Sequence, residues 1–440
     1  MSLILEIPIE VRLMLLFLLG VGVGGQLNRG IYRLAWNRRA IGPWSPPSDD
    51  VPRRRWTDRL PVLGWWGLRR ERTVHGRGYW IRPMLLELGT GLAFSVLYWL
   101  EMEELVLWPS GTGVGTELLY AVHAQYLSHI ILLSLMIVAT FIDFDEQTIP
   151  DAITLTGTVL GLIVAIALPR SLLPTLVPTP VEPGVEASHC AHLVLTSSTV
   201  SAHWGGGLGG PGSWPPLLAG VWGLLLGLSG VWAWSFTMMH KTWTLRHGPA
   251  NAVRYMVGSI IRHGTWRMPG LFALLLSLAT VLTWSWQAAG GNEQRWQSLL
   301  TAIVGMCFGG GLILVVRTIG GHALRMEAMG FGDVTLMAMI GAFVGWQAAL
   351  LVFFLAPVTA VAIALAQRIL TGDQRIAFGP YLCFATVIVL VSWDSIWTRW
   401  AYPMFSLGWF VPGVLACCLV LMGGLLWMWR IVRDAIFGWT

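Results

Sequence analysis

Long apolar runs separated by short polar stretches set the pattern of this chain from end to end. Eleven runs stand out, at residues 13–23, 83–100, 120–142, 152–168, 217–239, 271–286, 299–316, 334–344, 349–366, 381–391 and 411–429. About 18 consecutive apolar residues cover the roughly 30 Å hydrocarbon core of a bilayer as a helix. In that core every backbone N–H and C=O must be paired inside its own segment or in a closed barrel. The runs are continuous and do not alternate with period two, so they predict helices and not barrel strands. The expectation is an all-α polytopic membrane protein with about eleven transmembrane helices, in a range of eight to twelve.

Composition agrees with the pattern. Of the 440 residues 55% are hydrophobic and only 12% charged, with a mean hydropathy of +0.65; a soluble domain carries about 25% charged residues. Charge then orients the chain. Residues 1–25 predict a first, retained transmembrane helix, because no small-residue cleavage site follows its apolar core. Residues 26–82 form a polar loop with thirteen arginines, opposed only by Asp49, Asp50, Asp58 and Glu71. The positive-inside rule puts that loop in the cytoplasm. Its arginines set topology and touch anionic lipid headgroups. The net charge of +5 comes mostly from this loop, so it gives no reason to expect a nucleic-acid partner.

Residues 83–440 read as a polytopic membrane domain. Within it 169–216 is rich in Pro, Gly, Ser and Thr, with Arg170 as its single basic residue, and predicts an extracytoplasmic loop. That loop holds Ser188-His-Cys-Ala-His192 and His203, at spacings that fit no standard metal site. The five cysteines form no CxxC pair and imply no disulfide framework.

Two polar stretches carry candidate chemistry. Phe141-Ile-Asp-Phe-Asp-Glu-Gln-Thr-Ile-Pro150 lies between two apolar runs, and Glu327-Ala-Met-Gly-Phe-Gly-Asp333 precedes another. Both fall on the side of the Arg-rich loop, so Asp143 and Asp333 are expected at one membrane face. Two carboxylates brought close share a proton. One then acts as general base on water while the other protonates the carbonyl oxygen or the leaving amine. Gly330 and Gly332 allow close backbone approach beside Asp333. For Asp333 alone, helix capping is the plainer explanation, because an aspartate at a helix N-terminus is favoured by the dipole. Asp145, Glu146, Asp151 and Glu327 read most simply as turn or capping residues.

With these motifs in hand, the chain resembles the type IV prepilin peptidases, membrane aspartic proteases of the GxGD kind. Asp143 followed by Ile149-Pro150 looks like their first aspartate motif, and Gly330-Phe-Gly-Asp333 like the second. Gly25-Gln-Leu-Asn-Arg-Gly-Ile-Tyr-Arg33, Leu60-Pro-Val-Leu-Gly-Trp65, Arg82-Pro-Met-Leu-Leu-Glu-Leu-Gly-Thr-Gly91 and Phe378-Gly-Pro380 are similar to further family stretches. Residues 271–316 look like inserted helices.

The resemblance implies catalytic Asp143 and Asp333, with Gly330, Gly332 and Pro150 shaping the site and no metal or other cofactor needed for proteolysis. It implies cleavage, at a bacterial inner membrane and on the cytoplasmic face, of the basic leader of prepilin or pseudopilin precursors, whose hydrophobic helix follows the cut. These precursors serve type IV pili and type II secretion. Asp145 and Glu327 are the acids available to meet a basic leader. Two departures stand out. The loop cysteines that hold zinc in many members are missing, leaving Leu68-Arg-Arg-Glu-Arg-Thr-Val-His-Gly-Arg77, and Thr335 stands where the family has a lysine. Many members also methylate the new N-terminus from S-adenosylmethionine, and no donor site is legible here. A transporter or channel is an alternative, with His123 and His129 as its ionisable residues. A catalytically silent pilus or secretion assembly protein is another.

Overall fold

The computed structural model describes residues 6–437 apart from 40, 46–53, 109–115, 180–186, 193–215, 240–250, 252–253, 256–257, 259–265, 328, 371–376, 406 and 408–409. All eleven apolar runs are helical. The longer helices are α1 (Ile9–Leu34), α2 (Ile81–Met102), α3 (Thr116–Glu146), α4 (Asp151–Ala167), α5 (Val221–Thr237), α6 (Arg267–Ala288), α7 (Glu293–Leu324), α8 (Phe331–Leu370), α9 (Phe378–Val391), α10 (Trp393–Phe405) and α11 (Phe410–Phe437). Among the described residues seven helices are long and apolar enough to cross a membrane, or eight if the bent pair α9–α10 counts as one span. α4 and α5 are apolar but shorter, at 17 residues each. The chain is an all-α polytopic membrane protein apart from one small hairpin.

Helix boundaries follow local chemistry. Pro150 precedes α4 at its N-cap, with φ preset near the helical value. Asn292 caps α7 by accepting the Gln294 N–H at 2.9 Å. The runs 334–344 and 349–366 are one helical element, α8, broken at Gly345 with φ 81° and ψ 172°. That dihedral lies outside the helical region, and glycine reaches it without steric cost. Beyond the break, Thr359 Oγ1 donates to Tyr381 O at 3.1 Å, near the start of α9. The second arm of α8 therefore comes back toward the end from which the first arm left.

α7 and the first arm of α8 make the closest contact. A side chain at Gly305 would collide with the Gly341 carbonyl, so the two backbones touch directly. α3, α4 and α9 close around this pair, and Val334 to Ile340 is a continuous buried stretch. α5 and α6 stack on each other and on α7: Gly227 of α5 lies against Thr280 of α6 and Leu300 of α7. Thus 271–316 divides, with α6 on this outer layer and α7 in the core. α11 has no buried residue across its most apolar stretch.

Two features were not foreseen. Within 169–216, strands β1 (Pro174–Thr179) and β2 (Ala187–His192) pair antiparallel, with Leu176 opposite Cys190 and Val177 opposite His189. The Thr, Leu and Val of β1 suit a strand, and the expectation of a plain loop gave too much weight to its prolines. His203 lies outside the described residues. The second is the 88° bend between α9 and α10. Trp393 and Trp397 stack there at 5.0 Å, and Trp393 Nε1 donates to Pro174 O at 2.6 Å. Amphipathic tryptophans serve such interfacial turns.

Candidate active site

Asp143 sits in the last turn of α3 and Asp333 in the first turn of α8, at the same end of the bundle. α3 closes where the Gln147 N–H bonds Asp143 O at 2.9 Å, and Gln147 takes the left-handed φ of 53° that ends a helix. Both carboxyl groups are buried, 5% and 8% exposed, and both line one cavity of about 560 Å³. The charge of Asp143 acts on Asp333. The backbone at Gly379 lies against the Asp143 carboxyl group, and that at Gly330 close to the Asp333 carboxyl group. Among the described residues the buried Asp143 Oδ2 has no hydrogen-bond partner, and no lysine or arginine lines the cavity.

Ile149 holds this arrangement together. A Cβ on Gly332 would lie 2.9 Å from the Ile149 Cβ, and one on Gly379 would lie 2.7 Å from Asp143 Oδ2 and 2.8 Å from Ile149 Cδ1. The isoleucine of the Ile-Pro pair is thus wedged between the turn before Asp333 and the start of α9. The absence of side chains at 332 and 379 is what lets both segments reach the carboxylates. Pro150 flanks the cavity from the N-cap of α4 and does not line it.

Thr335 is buried, at 1% exposure. Its Oγ1 donates to Gly332 O at 3.0 Å and accepts from Thr154 Oγ1 at 3.0 Å. The hydroxyl ties the glycine turn to α4 and brings no charge to the pair. Gln147, Thr148, Met329, Phe331, Ala377 and Phe378 complete the lining. Of these only Ala377 falls outside the stretches the sequence singled out, though none of the six was given a role of its own.

The remaining candidates lie outside this cavity. Asp145 receives both contacts of Arg82 Nη1, at 2.7 and 2.9 Å. The Glu327 side chain is 89% exposed, with one long contact of 3.5 Å to Arg317. His129 Nδ1, near the middle of α3, lies 2.7 Å from Oε1 of Glu101 at the end of α2, both buried. His123 Nδ1 meets Leu119 O within α3.

The Arg-rich loop builds a different kind of carboxylate site. Asp58 accepts from the Arg55 N–H at 2.7 Å and from both terminal nitrogens of Arg70. Burial pushes its carboxyl up, but Arg70 and the Arg55 amide outweigh that and hold it below its ordinary value. Glu71 pairs with Arg54 at 3.1 Å and has His75 at 3.7 Å. Glu87 of α2 anchors the loop by accepting Asn28 Nδ2, the Val62 N–H and Trp65 Nε1 at 3.1, 2.6 and 2.7 Å. A second cavity of about 330 Å³ lies beside it, between α1 and the loop. No group of three or more His, Cys, Asp or Glu among the described residues is set to hold a metal. Among its described residues the loop offers one histidine and the carboxylates of Asp58 and Glu71, both engaged by arginines, a donor set that does not fit zinc.

Residues 268–365 match the model of the type IV leader peptidase family. Over this stretch the chain is similar to that family. The stretch contains Asp333 with its glycine turn and covers α7 together with most of α6 and α8; Asp143 lies before it. Among curated proteins the chain is similar to the prepilin leader peptidase/N-methyltransferase of Aeromonas hydrophila, 40% identical over 82 residues, which is 18% of this chain and 28% of that protein. The protein of that name from Aeromonas salmonicida is 40% identical over 77 residues, covering 17% and 26%. The one from Pseudomonas aeruginosa is 40% identical over 73, covering 16% and 25%. The chain therefore spans about a quarter of the length of the curated relatives it matches. No solved structure matches. The likeness to the type IV prepilin peptidases read from the sequence holds over these residues.

Proposed function

We propose that this protein is a membrane aspartic endopeptidase that removes the basic leader of prepilin-like precursors, with Asp143 and Asp333 as its catalytic pair. One observation carries the reading: the buried Oδ2 of Asp143, without a hydrogen-bond partner among the described residues, in a cavity that also holds Asp333. Two acids so arranged share one proton. The ionised member takes a proton from water as the water oxygen attacks the scissile carbonyl carbon. The protonated member gives its proton to the carbonyl oxygen. Collapse of the tetrahedral adduct breaks the C–N bond: the proton taken from water passes to the leaving amine, and one hydroxyl of the adduct returns its proton to the other carboxylate as the C=O bond re-forms, restoring the shared proton. Water and peptide are the only reactants, so this step needs no cofactor.

The Arg-rich loop at the aspartate end supports a cytoplasmic catalytic face, and the family supports a bacterial inner membrane. The substrate side follows from charge. Glu327, exposed and held only by the 3.5 Å contact to Arg317, is the acid more available to meet a basic leader, whereas Asp145 is engaged by Arg82. Methyl transfer is left out of the proposal. S-adenosylmethionine brings a sulfonium cation, and the second cavity is bordered by arginines while its carboxylate, Glu87, already accepts three N–H groups. Those residues do not fit the donor.

The test is co-expression with a precursor that carries a basic leader and a hydrophobic helix, followed by its size on a gel. Asp143→Ala and Asp333→Ala should each leave the precursor uncut at normal membrane levels. Full cleavage by either variant would remove the pair from the mechanism.

A further inference from the structure

The second cavity lies at the level where α1 passes from its apolar run into the Arg-rich loop. Five arginines border it: Arg29 and Arg33 of α1, Arg38 and Arg39 just beyond, and Arg59 of the loop. Among the described residues none of the five forms an ion pair; Arg59 lies over the Trp44 ring at 5.2 Å. The only acid lining the cavity is Glu87, whose carboxylate is buried and accepts three N–H groups. Arg29 and Arg33 are four apart on a helix, where like charges repel. Among the described residues no carboxylate pairs with these arginines.

The rest of the same helix face tells which anion fits. Positions 15, 18, 19, 22, 26, 29 and 33 fall on one stripe of α1 at helical spacing. Leu15, Leu18 and Leu19 are 50%, 57% and 53% exposed, as lipid-facing residues are. Gly22 follows, facing open space at the foot of the cavity. Gln26, Arg29 and Arg33 come above it, all exposed. From Leu19 to Arg29 is about 15 Å along the axis. The stripe thus runs from an acyl-chain surface, past a gap, to a cluster of unneutralised guanidinium groups.

We propose that this cavity holds the headgroup of an anionic phospholipid, with the phosphate among Arg29, Arg33 and Arg59 and an acyl chain along Leu15, Leu18 and Leu19. Guanidinium groups bind phosphate through paired charge-assisted hydrogen bonds, and basic pockets beside transmembrane helices suit anionic headgroups. Bound there, the lipid neutralises the arginines and fills the space between α1 and the loop. This site is separate from the aspartate cavity and stands whether or not the peptidase reading does.

The experiment uses the full chain, delipidated in detergent, with binding followed by native mass spectrometry and by thermal unfolding. Phosphatidylglycerol should bind and raise the unfolding temperature; phosphatidylcholine and inorganic phosphate should do neither. Each arginine removed should weaken binding about fivefold, so Arg29→Gln with Arg33→Gln should lose about 25-fold. Arg59→Gln alone tests the site without touching α1, and Arg433→Gln, elsewhere on the protein, should bind as the parent does. The effect should shrink with added salt. Undiminished phosphatidylglycerol binding in the double variant and in Arg59→Gln would overturn the proposal. So would equal stabilisation by phosphatidylcholine or by inorganic phosphate.

Discussion

Two sets of buried carboxylates sit toward one end of this molecule, and they are treated in opposite ways. Asp58 and Glu71 in the Arg-rich loop are each clasped by a guanidinium, from Arg70 and Arg54. Among the described residues Asp143 and Asp333 form no ion pair, and no lysine or arginine lines their cavity. An unpaired buried charge is costly, whereas a paired and hydrogen-bonded one is held in place. The first set has the form of a structural staple. The second leaves an acceptor without a partner, which is how a site for water and substrate is built. Thirteen arginines lie in the loop, yet among the described residues none of them lines the aspartate cavity.

The largest effect should come from isosteric neutralisation of the second set. Asp143→Asn and Asp333→Asn keep the shape and should each lower precursor cleavage by about a thousandfold or more, within the range expected when an acid–base group is lost. Their unfolding temperature should not fall, because a carboxamide relieves burial of a charge. The same change in the staple should do the reverse. Arg54→Met leaves Glu71 buried without its partner and should cost about 3 kcal/mol of stability, read as a lower unfolding temperature, with the cleavage rate of the folded fraction little changed. If instead the staple variant lost activity at full stability, the contrast between the two sets would be wrong.

Gly379→Ala probes the geometry between these extremes. Its new Cβ would crowd Asp143 Oδ2 and Ile149, and cleavage should fall about a hundredfold, as expected when a catalytic group is misplaced by about an ångström. The smallest effect concerns acid. The Asp58 carboxyl is held below its unfolded value, so its contribution is present above an ordinary carboxylate pKa, near 4, and fades as pH falls through the lower folded value. Arg70→Ala should flatten that acid limb of a thermal-unfolding profile.

Much of this was legible in the sequence because membrane topology is written in long apolar runs and arginines. Those two signals alone bring Asp143 and Asp333 to one end. The stretches holding Asn28, Trp65 and Glu87 were also visible, and the structure joins them at one carboxylate. What could not be read were contacts that depend on shape. Ile149 is an apolar residue among many, and only three-dimensional packing makes it a wedge between Gly332 and Gly379. The ion pairs of Asp58 and Glu71 hid among interchangeable arginines. The turn at Gly345 was legible as a gap between runs, but the helical bend after Val391 was not, because the apolar run ends there and the mixed stretch that follows gives no sign of a further helix.

The central claim is that Asp143 and Asp333 act as one unit. The most direct test is the cleavage rate of purified protein carrying Asp143→Asn, Asp333→Asn and both together, on one precursor. Residues that share one step are strongly non-additive. The double variant should therefore be no slower than the slower single variant, with each single already near background. Rates that multiply, or a single variant that cuts at close to the parent rate, would contradict the account.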